Sequence, residues 1–213
     1  MKFLVTGGVG FIGTNLIKVL LKDGHEVVSI DNYSTGKKEN EQEGCKYFKV
    51  DICDYKSFDA YIEDPDVVFH LAALPRIQPS FKYPLITFKT NVEGTMNLLD
   101  WCKKKNTPLV YAGSSSTHGG VYKNPYTFTK WQGEELCKLY SKVYSLQIAI
   151  CRFYNVYGSY QLTEGEYCTV IGIFERKHKN NEALTITGDG EQRRDFTHVD
   201  DIVDGLIKCG IDL

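Results

Sequence analysis

The chain has 213 residues, 42% apolar and 24% charged, an ordinary balance for a globular protein with a sizeable core. A formal net charge of −2 offers no basic field to nucleic acid, and no apolar run approaches the roughly 18 residues of a membrane span. Seven scattered cysteines without a C-x-x-C pair, and five histidines at no ligand spacing, argue against a disulfide framework or a metal site and fit a reducing cytoplasm. The sequence opens directly on a strand, so no signal peptide is expected.

Lys2 to Thr6 is a short apolar run suited to a buried strand. Gly7, Gly8, Gly10 and Gly13 follow at once, and an amphipathic helix pattern runs from Thr14 to Lys22. Strand, glycine turn and helix bring bare backbone N–H groups and a helix N-terminus onto one point, an arrangement that binds the pyrophosphate of a dinucleotide. The glycines at 7, 10 and 13 are spaced G-x-x-G-x-x-G, and the same turn is also plain strand-to-helix architecture. Glu26 to Ile30 reads as a second strand ending at Asp31. An acidic residue about 20 positions beyond the glycine turn hydrogen-bonds the adenosine ribose and repels the extra phosphate of NADP, so NAD is expected.

Lys46 to Val50 is a third strand closed by Asp51, and Tyr55 to Tyr61 a short helix broken at Asp64-Pro65. Val67 to Leu71 is a fourth strand; Ala72 and Ala73 behind it are small enough to admit a flat cofactor. Pro75, Pro79 and Pro84 mark an irregular loop before one long helix from Leu85 to Lys104, in which Asn91 needs a hydrogen-bond partner among apolar neighbours. Thr107 to Ala112 is a fifth strand, Gly113 to Gly120 a polar, flexible turn, Tyr126 to Tyr144 a helix, and Gln147 to Tyr154 a sixth strand. The alternation predicts an α/β fold with a doubly wound parallel sheet. Past Asn155 the texture changes to a helix near Thr169 to Lys179, strands at Leu184 to Thr187 and Phe196 to Val199, and a last helix capped by Asp200. A dinucleotide-binding domain over 1–155 and a partial substrate-binding region over 156–213 are expected.

Tyr126 and Lys130 stand at i and i+4, so both project from one helix face. A tyrosine with a pKa of about 10 is a poor base, and an adjacent ammonium favours its phenolate. Ser114, Ser115 and Ser116 end the preceding strand at the cofactor's edge of the sheet, where one hydroxyl would hold a substrate oxygen while the tyrosine moves its proton. Such a pair alone is usually a solvated helix face. Behind a serine turn and a glycine turn it reads as an acid–base site.

At these residues the sequence resembles the extended short-chain dehydrogenase/reductase family, within it the nucleotide-sugar epimerases and dehydratases. The matching stretches run the length of the chain: TGGVGFIG at 6–13, Asp31-Asn32, Asp51-Ile52, HLAA at 70–73, SSS at 114–116, Tyr126 and Lys130, RFYNVYG at 152–158, and GDGEQRRDFTHVDD at 188–201. The resemblance implies a Rossmann fold and the cofactor NAD. Phe11 and Ile12 would meet the pyrophosphate, Asp31 and Asn32 the ribose, and Asp51 and Ile52 the adenine. Leu71, Ala72, Ala73 and Asn91 would line the cofactor, with Lys130 and Tyr154 at the nicotinamide end. Counting back from Gly120 makes Ser115 the catalytic hydroxyl, with Ser114 and Ser116 left open because Gly119-Gly120 replaces the usual Tyr-Gly. Asn155 and Arg194 would contact the substrate diphosphate.

The implied reaction is inversion of C4 of a UDP-hexose through a transient 4-keto sugar. Dehydratases of the family carry an acidic pair directly after the catalytic hydroxyl, where Ser116-Thr117 stands here. The alternatives are a nucleotide-sugar dehydratase or decarboxylase, and an NAD-binding protein without turnover. Relatives continue past the position of Leu213, and their extra length closes the sugar-nucleotide site. They also pair as dimers through the Tyr126 helix and the helix before the serine turn, so Phe128, Leu136, Leu139 and Val143 are candidate homodimer contacts.

Overall fold

The short apolar runs become strands because helices cover both of their faces. The computed structural model describes residues 1–213, the side chain of Phe58 excepted. Its strands are β1 (Lys2–Thr6), β2 (Glu26–Asp31), β3 (Lys46–Lys49), β4 (Val67–His70), β5 (Leu109–Ser114) and β6 (Ile148–Phe153). They pair in parallel in the order β3-β2-β1-β4-β5-β6. The helices are α1 (Phe11–Lys22), α2 (Tyr55–Tyr61), α3 (Ile77–Lys82), α4 (Pro84–Phe88), α5 (Gly94–Lys105), α6 (Pro125–Tyr144), α7 (Val170–Lys179) and α8 (Val199–Ile211). This is the expected doubly wound α/β fold.

Alternation along β1 divides the core between the two faces. Phe3 and Val5 pack with Leu16, Ile17 and Leu20 of α1 and with Val199, Val203 and Leu206 of α8. Leu4 belongs to the opposite layer, with Leu98, Leu99 and Trp101 of α5 and Cys137 of α6. The strand order reverses between β1 and β4, which opens a crevice at their carboxyl ends. None of the helices among the described residues is long and apolar enough to cross a membrane.

Several boundaries differ from the sequence expectation. The helix expected from Thr14 begins at Phe11, because Gly10 serves as N-cap and lets the turn close three residues earlier. The proline loop contains α3, begun by Arg76 and closed by a Tyr83 N–H bond to Pro79 O. The long helix is not uniform: α4 and α5 are joined by a π-helical turn over Lys89–Glu93, which contains Asn91. The turn expected to be flexible is a 3-10 helix over Ser115–Gly119, begun by the Ser114 hydroxyl accepting the Ser116 N–H.

No strand forms over Leu184 to Thr187; Leu184 and Ile186 are exposed and find no neighbouring strand to pair with. Two short strands instead make a parallel pair, β7 (Asn155–Tyr157) and β8 (Phe196–His198). Asp200 does not cap the last helix: its amide is capped by the His198 ring, with Nδ1 at 3.3 Å. Residues 156–213 thus divide in two, since β8 pairs with β7 in a separate two-stranded sheet while α8 packs onto α1, β4, β5 and β6.

Candidate active site

A cavity of about 830 Å³ lies over the carboxyl ends of β1, β4 and β5. Every cofactor-, substrate- and proton-handling residue expected from the sequence lines it, apart from Asp51 and Asn91. These two stand one layer back. Asp51 accepts from the Asn32 side chain at 3.0 Å and from the Cys53 amide at 2.8 Å, so it sets the angle of Asn32. Asn91 accepts the Leu74 N–H at 2.8 Å and donates to Leu74 O and Thr129 Oγ1, which fixes the loop after β4. Its expected partners are therefore backbone and threonine.

The glycine turn is shaped by close backbone approach. A Cβ on Gly13 would fall 2.2 Å from Gly7 O, and one on Gly7 2.9 Å from Ala72 Cα. Gly8 is as tight, its Cβ position being 2.0 Å from Ser29 Oγ. No side chain caps the N-terminus of α1 and no acidic residue stands in its first turn, so its free N–H groups face the cavity unanswered. Asp31 is held rigid by the amides of Val9 and Tyr33, at 3.1 and 2.8 Å. Burial raises its pKa, and the two amide bonds oppose that shift. A glycine cradle, an uncapped helix start and a fixed carboxylate at the end of β2 fit a dinucleotide, with pyrophosphate at Gly10–Gly13 and ribose at Asp31.

Beneath the cradle, His70 is fully buried between Thr6 Oγ1 (2.8 Å) and Thr95 Oγ1 (2.9 Å). Burial, then the nearby Lys130 charge, pull its pKa down to about 3, so the ring is neutral. Thr6 Oγ1 also accepts the Ala72 N–H at 3.1 Å, tying the small-residue segment to β1.

At the other end of the cavity the Asn124 side chain caps α6 and Pro125 sets its first turn. The amide of Tyr126 donates to Ser80 Oγ at 3.0 Å, which joins α6 to α3. The Tyr126 hydroxyl points at Ser114 Oγ, 3.4 Å away, and Ser114 Oγ in turn lies 2.9 Å from Ser116 Oγ. Ser115 begins the next turn and lines the cavity. Burial raises the Tyr126 pKa; the Ser114 hydrogen bond and the positive charge of Arg76 lower it. Lys130, expected to supply that charge, lies with its ammonium 4.5 Å above the Tyr111 ring, and burial depresses its own pKa to about 8.

One turn on, the fully buried Glu134 carboxylate takes a forked bond from Arg152 of β6 and reaches the Ser114 amide at 3.5 Å. It therefore braces the strand end that presents the serines. Gly133 is required beside it, because a Cβ there would lie 2.0 Å from Tyr111 Oη.

The β7–β8 pair brings Asn155 and Arg194 to one rim. Asn155 and Phe196 are register partners, and the Asn155 side chain donates to Asp195 O at 2.9 Å. Tyr154 stands beside them, half exposed and stacked near His118. Sequence reading missed Arg76 and the role of Glu134. Arg76 lies three residues past the HLAA segment, a position that marked it, but its backbone at φ +104 could not be foreseen. That conformation costs a side chain about 1–3 kcal/mol and persists where the surrounding structure enforces it.

A sequence model of the NAD-dependent epimerase/dehydratase family matches residues 3–209. A putative UDP-glucose 4-epimerase of Methanocaldococcus jannaschii is 36% identical over 93% of this chain and 70% of its own length. A UDP-glucuronic acid decarboxylase of Danio rerio is 30% identical over 97% of this chain, which spans 53% of the relative. The crystal structure of Thermotoga maritima UDP-glucose 4-epimerase with UDP-glucose superposes with a TM-score of 0.92 at 30% identity, covering 97% of this chain and 72% of that one. With the motifs in order and the fold superposed end to end, the chain belongs to the NAD-dependent epimerase/dehydratase family, whose members include nucleotide-sugar epimerases, decarboxylases and dehydratases.

Proposed function

We propose that the protein is an NAD-dependent nucleotide-sugar epimerase that inverts C4 of a UDP-hexose. The observation that carries the reading is the Tyr126 hydroxyl, set 3.4 Å from Ser114 Oγ in the same cavity as the glycine cradle and Asp31. Gly7, Gly10, Phe11, Ile12, Gly13, Asp31, Asn32, Ile52, Leu71, Ala72, Ala73 and Tyr154 would hold the cofactor, with Asp51 and Asn91 bracing them. NAD, when bound, supplies the oxidation and reduction at the sugar carbon. Tyr126 Oη takes the proton of the sugar hydroxyl and later returns it. Ser115, next to the Ser114–Tyr126 contact, orients the sugar oxygen, and Lys130 holds the nicotinamide ribose. Asn155 and Arg194 meet the diphosphate, with the fixed donor fork of the arginine suited to it. In this reading residues 1–155 hold the cofactor and carry the proton-transfer residues, and the β7–β8 rim, which begins at Asn155 and continues in 156–213, serves the sugar nucleotide.

Inversion is favoured over elimination of water by the carboxylates available. Among the described residues, only Asp31 and Glu166 contribute carboxylates to the cavity wall. Asp31 is engaged at the ribose end, and Glu166 is paired with Lys82 at 2.8 Å. A decarboxylase stands as the second reading, on the strength of the Danio rerio relative. The test incubates the NAD-loaded protein with millimolar UDP-glucose, UDP-galactose and their N-acetyl forms, then separates C4 epimers. Epimer without loss of mass is expected, with no net reduced cofactor. A product lighter by water or carbon dioxide selects the other reactions. Bound NAD without any conversion selects a binding protein.

We also propose a cytoplasmic homodimer through α4, α5 and α6. Leu139 and Val143 of α6 are 51% and 58% exposed, and Leu85 of α4 is 85% exposed. Phe128 and Leu136 are partly buried and contribute less. Sedimentation at micromolar concentration checks this, with a monomer refuting it.

A further inference from the structure

Arg76 stands on the cavity wall at the start of α3, and the function proposed above gives it no ligand. Its Nε donates to Tyr167 O at 3.0 Å, which fixes the direction of the side chain. One donor is thereby used, and the two terminal amino groups of the fork remain for something else. Among the described residues no carboxylate pairs with it. Glu166, next to Tyr167 and on the same wall, is taken by Lys82. Burial lowers the Arg76 pKa, yet a guanidinium stays charged at any pH of interest. A partly desolvated cation without a counter-ion is costly, and a bound anion removes that cost.

The place of Arg76 identifies the anion. The diphosphate has Asn155 and Arg194 at the β7–β8 rim. Arg76 instead begins the helix whose Ser80 hydroxyl accepts the Tyr126 amide at 3.0 Å. Its charge also acts on the Tyr126 phenol. It belongs to the end of the cavity where the sugar hydroxyl exchanges its proton. In a hexose C6 is attached to C5, the neighbour of C4, so a C6 carboxylate lies close to the reacting hydroxyl. A planar fork with two free amino groups matches a carboxylate.

We infer that Arg76 is a specificity residue that pairs with a carboxylate on the sugar, so that the substrate is a nucleotide-linked uronic acid rather than a neutral hexose. This rests on the nucleotide-sugar reading above and refines its substrate. The structure arranges the rest accordingly: Tyr167 O holds the guanidinium and Lys82 keeps Glu166 from neutralising it.

The test measures binding of UDP, UDP-glucose and UDP-glucuronate to the NAD-saturated protein by calorimetry, for wild type, Arg76→Gln and Arg76→Lys. Wild type should bind UDP-glucuronate about tenfold or more tightly than UDP-glucose, the scale of a charge-assisted hydrogen bond. Arg76→Gln should erase the preference and leave UDP-glucose and UDP affinities unchanged, which also shows that the variant is folded. Arg76→Lys, with charge but no fork, should keep part of it. Equal affinity of wild type for the two sugars overturns the inference, as does an equal loss for UDP and both sugars in Arg76→Gln, which would put Arg76 on the diphosphate. If UDP and both sugars all fail to bind wild type, the nucleotide-sugar reading itself falls and takes this inference with it. If UDP-glucose binds and is inverted as well as UDP-glucuronate, only the inference falls.

Discussion

The two ends of the cavity are built on opposite plans. At the cofactor end, backbone lies against backbone: Gly7, Gly8 and Gly13 have no room for a methyl group, and Asp31 is clamped by two amides. At the substrate end, Tyr154 and Phe196 are 48% and 43% exposed, and the residues that converge come from loops and a two-strand pair. The first end presents one shape to a ligand that does not change. On the function proposed above, substrate selection falls to the second end, where side chains can be exchanged at little structural cost.

Tyr126 carries the proposed proton chemistry, and its loss should have the largest effect. Tyr126→Phe is expected to lower turnover by about 10²–10⁴-fold, the span of a lost general acid–base group. NAD affinity and thermal midpoint should stay at wild-type values, because only the hydroxyl is removed. Steady-state rates beside an NAD titration check both, and a variant keeping most of its rate would move the proton chemistry elsewhere.

Lys130, one turn on in α6, tests whether burial at this end carries a cost. Its folded pKa of about 8 lies below the 10.5 of the free side chain. The unfolded chain therefore binds the extra proton between those values, so stability rises with pH across that window and the burial cost is fully present below pH 8. At about 1.4 kcal/mol per pKa unit the penalty is about 3 kcal/mol. Lys130→Met should stabilise the ligand-free protein by up to that amount at pH 7, with the gain shrinking toward pH 10.5, while turnover is lost. Urea unfolding at a series of pH values reads it, and a variant less stable than wild type at pH 7 would contradict it.

An added methyl group compares the two ends directly. Gly13→Ala, with its Cβ 2.2 Å from Gly7 O, should cost about 1–3 kcal/mol and abolish NAD binding. Gly119→Ala, at the serine turn, meets nothing nearer than Lys123 Nζ at 4.0 Å and should stay within about 0.5 kcal/mol of wild type. At the outer rim the effect is on binding alone. Arg194 is exposed, and Arg194→Gln should raise KM for the sugar nucleotide about tenfold, as one charged contact would, without moving the unfolding midpoint.

The same contrast decides what was legible in the sequence. Glycine turn, Asp31 and the Tyr126–Lys130 pair are local patterns, and each reached the cavity because strand, turn and helix follow one another in the chain. Features made by distant partners were not legible. The π-helical turn at Lys89–Glu93 carries Asn91, which holds Leu74. β7 exists only through pairing with β8, forty residues on, as the Asn155–Asp195 hydrogen bond records. The segment Leu184 to Thr187 shows the converse, a strand-like run with no neighbour to pair with. Arg76 shares a fate with these, since its direction depends on Tyr167.

The strand order also has a consequence in time. α1 precedes α8 in the chain and leaves a ribosome earlier, yet Leu16 and Leu20 on its inner face share a core with Val203 and Leu206 of α8. β1 likewise waits for β4 before its second edge is paired. Local pairing cannot finish this half of the molecule, so the growing chain carries an uncovered apolar stripe on α1 until α8 has been made. The glycine cradle is thus written before the helix that completes the core beneath it.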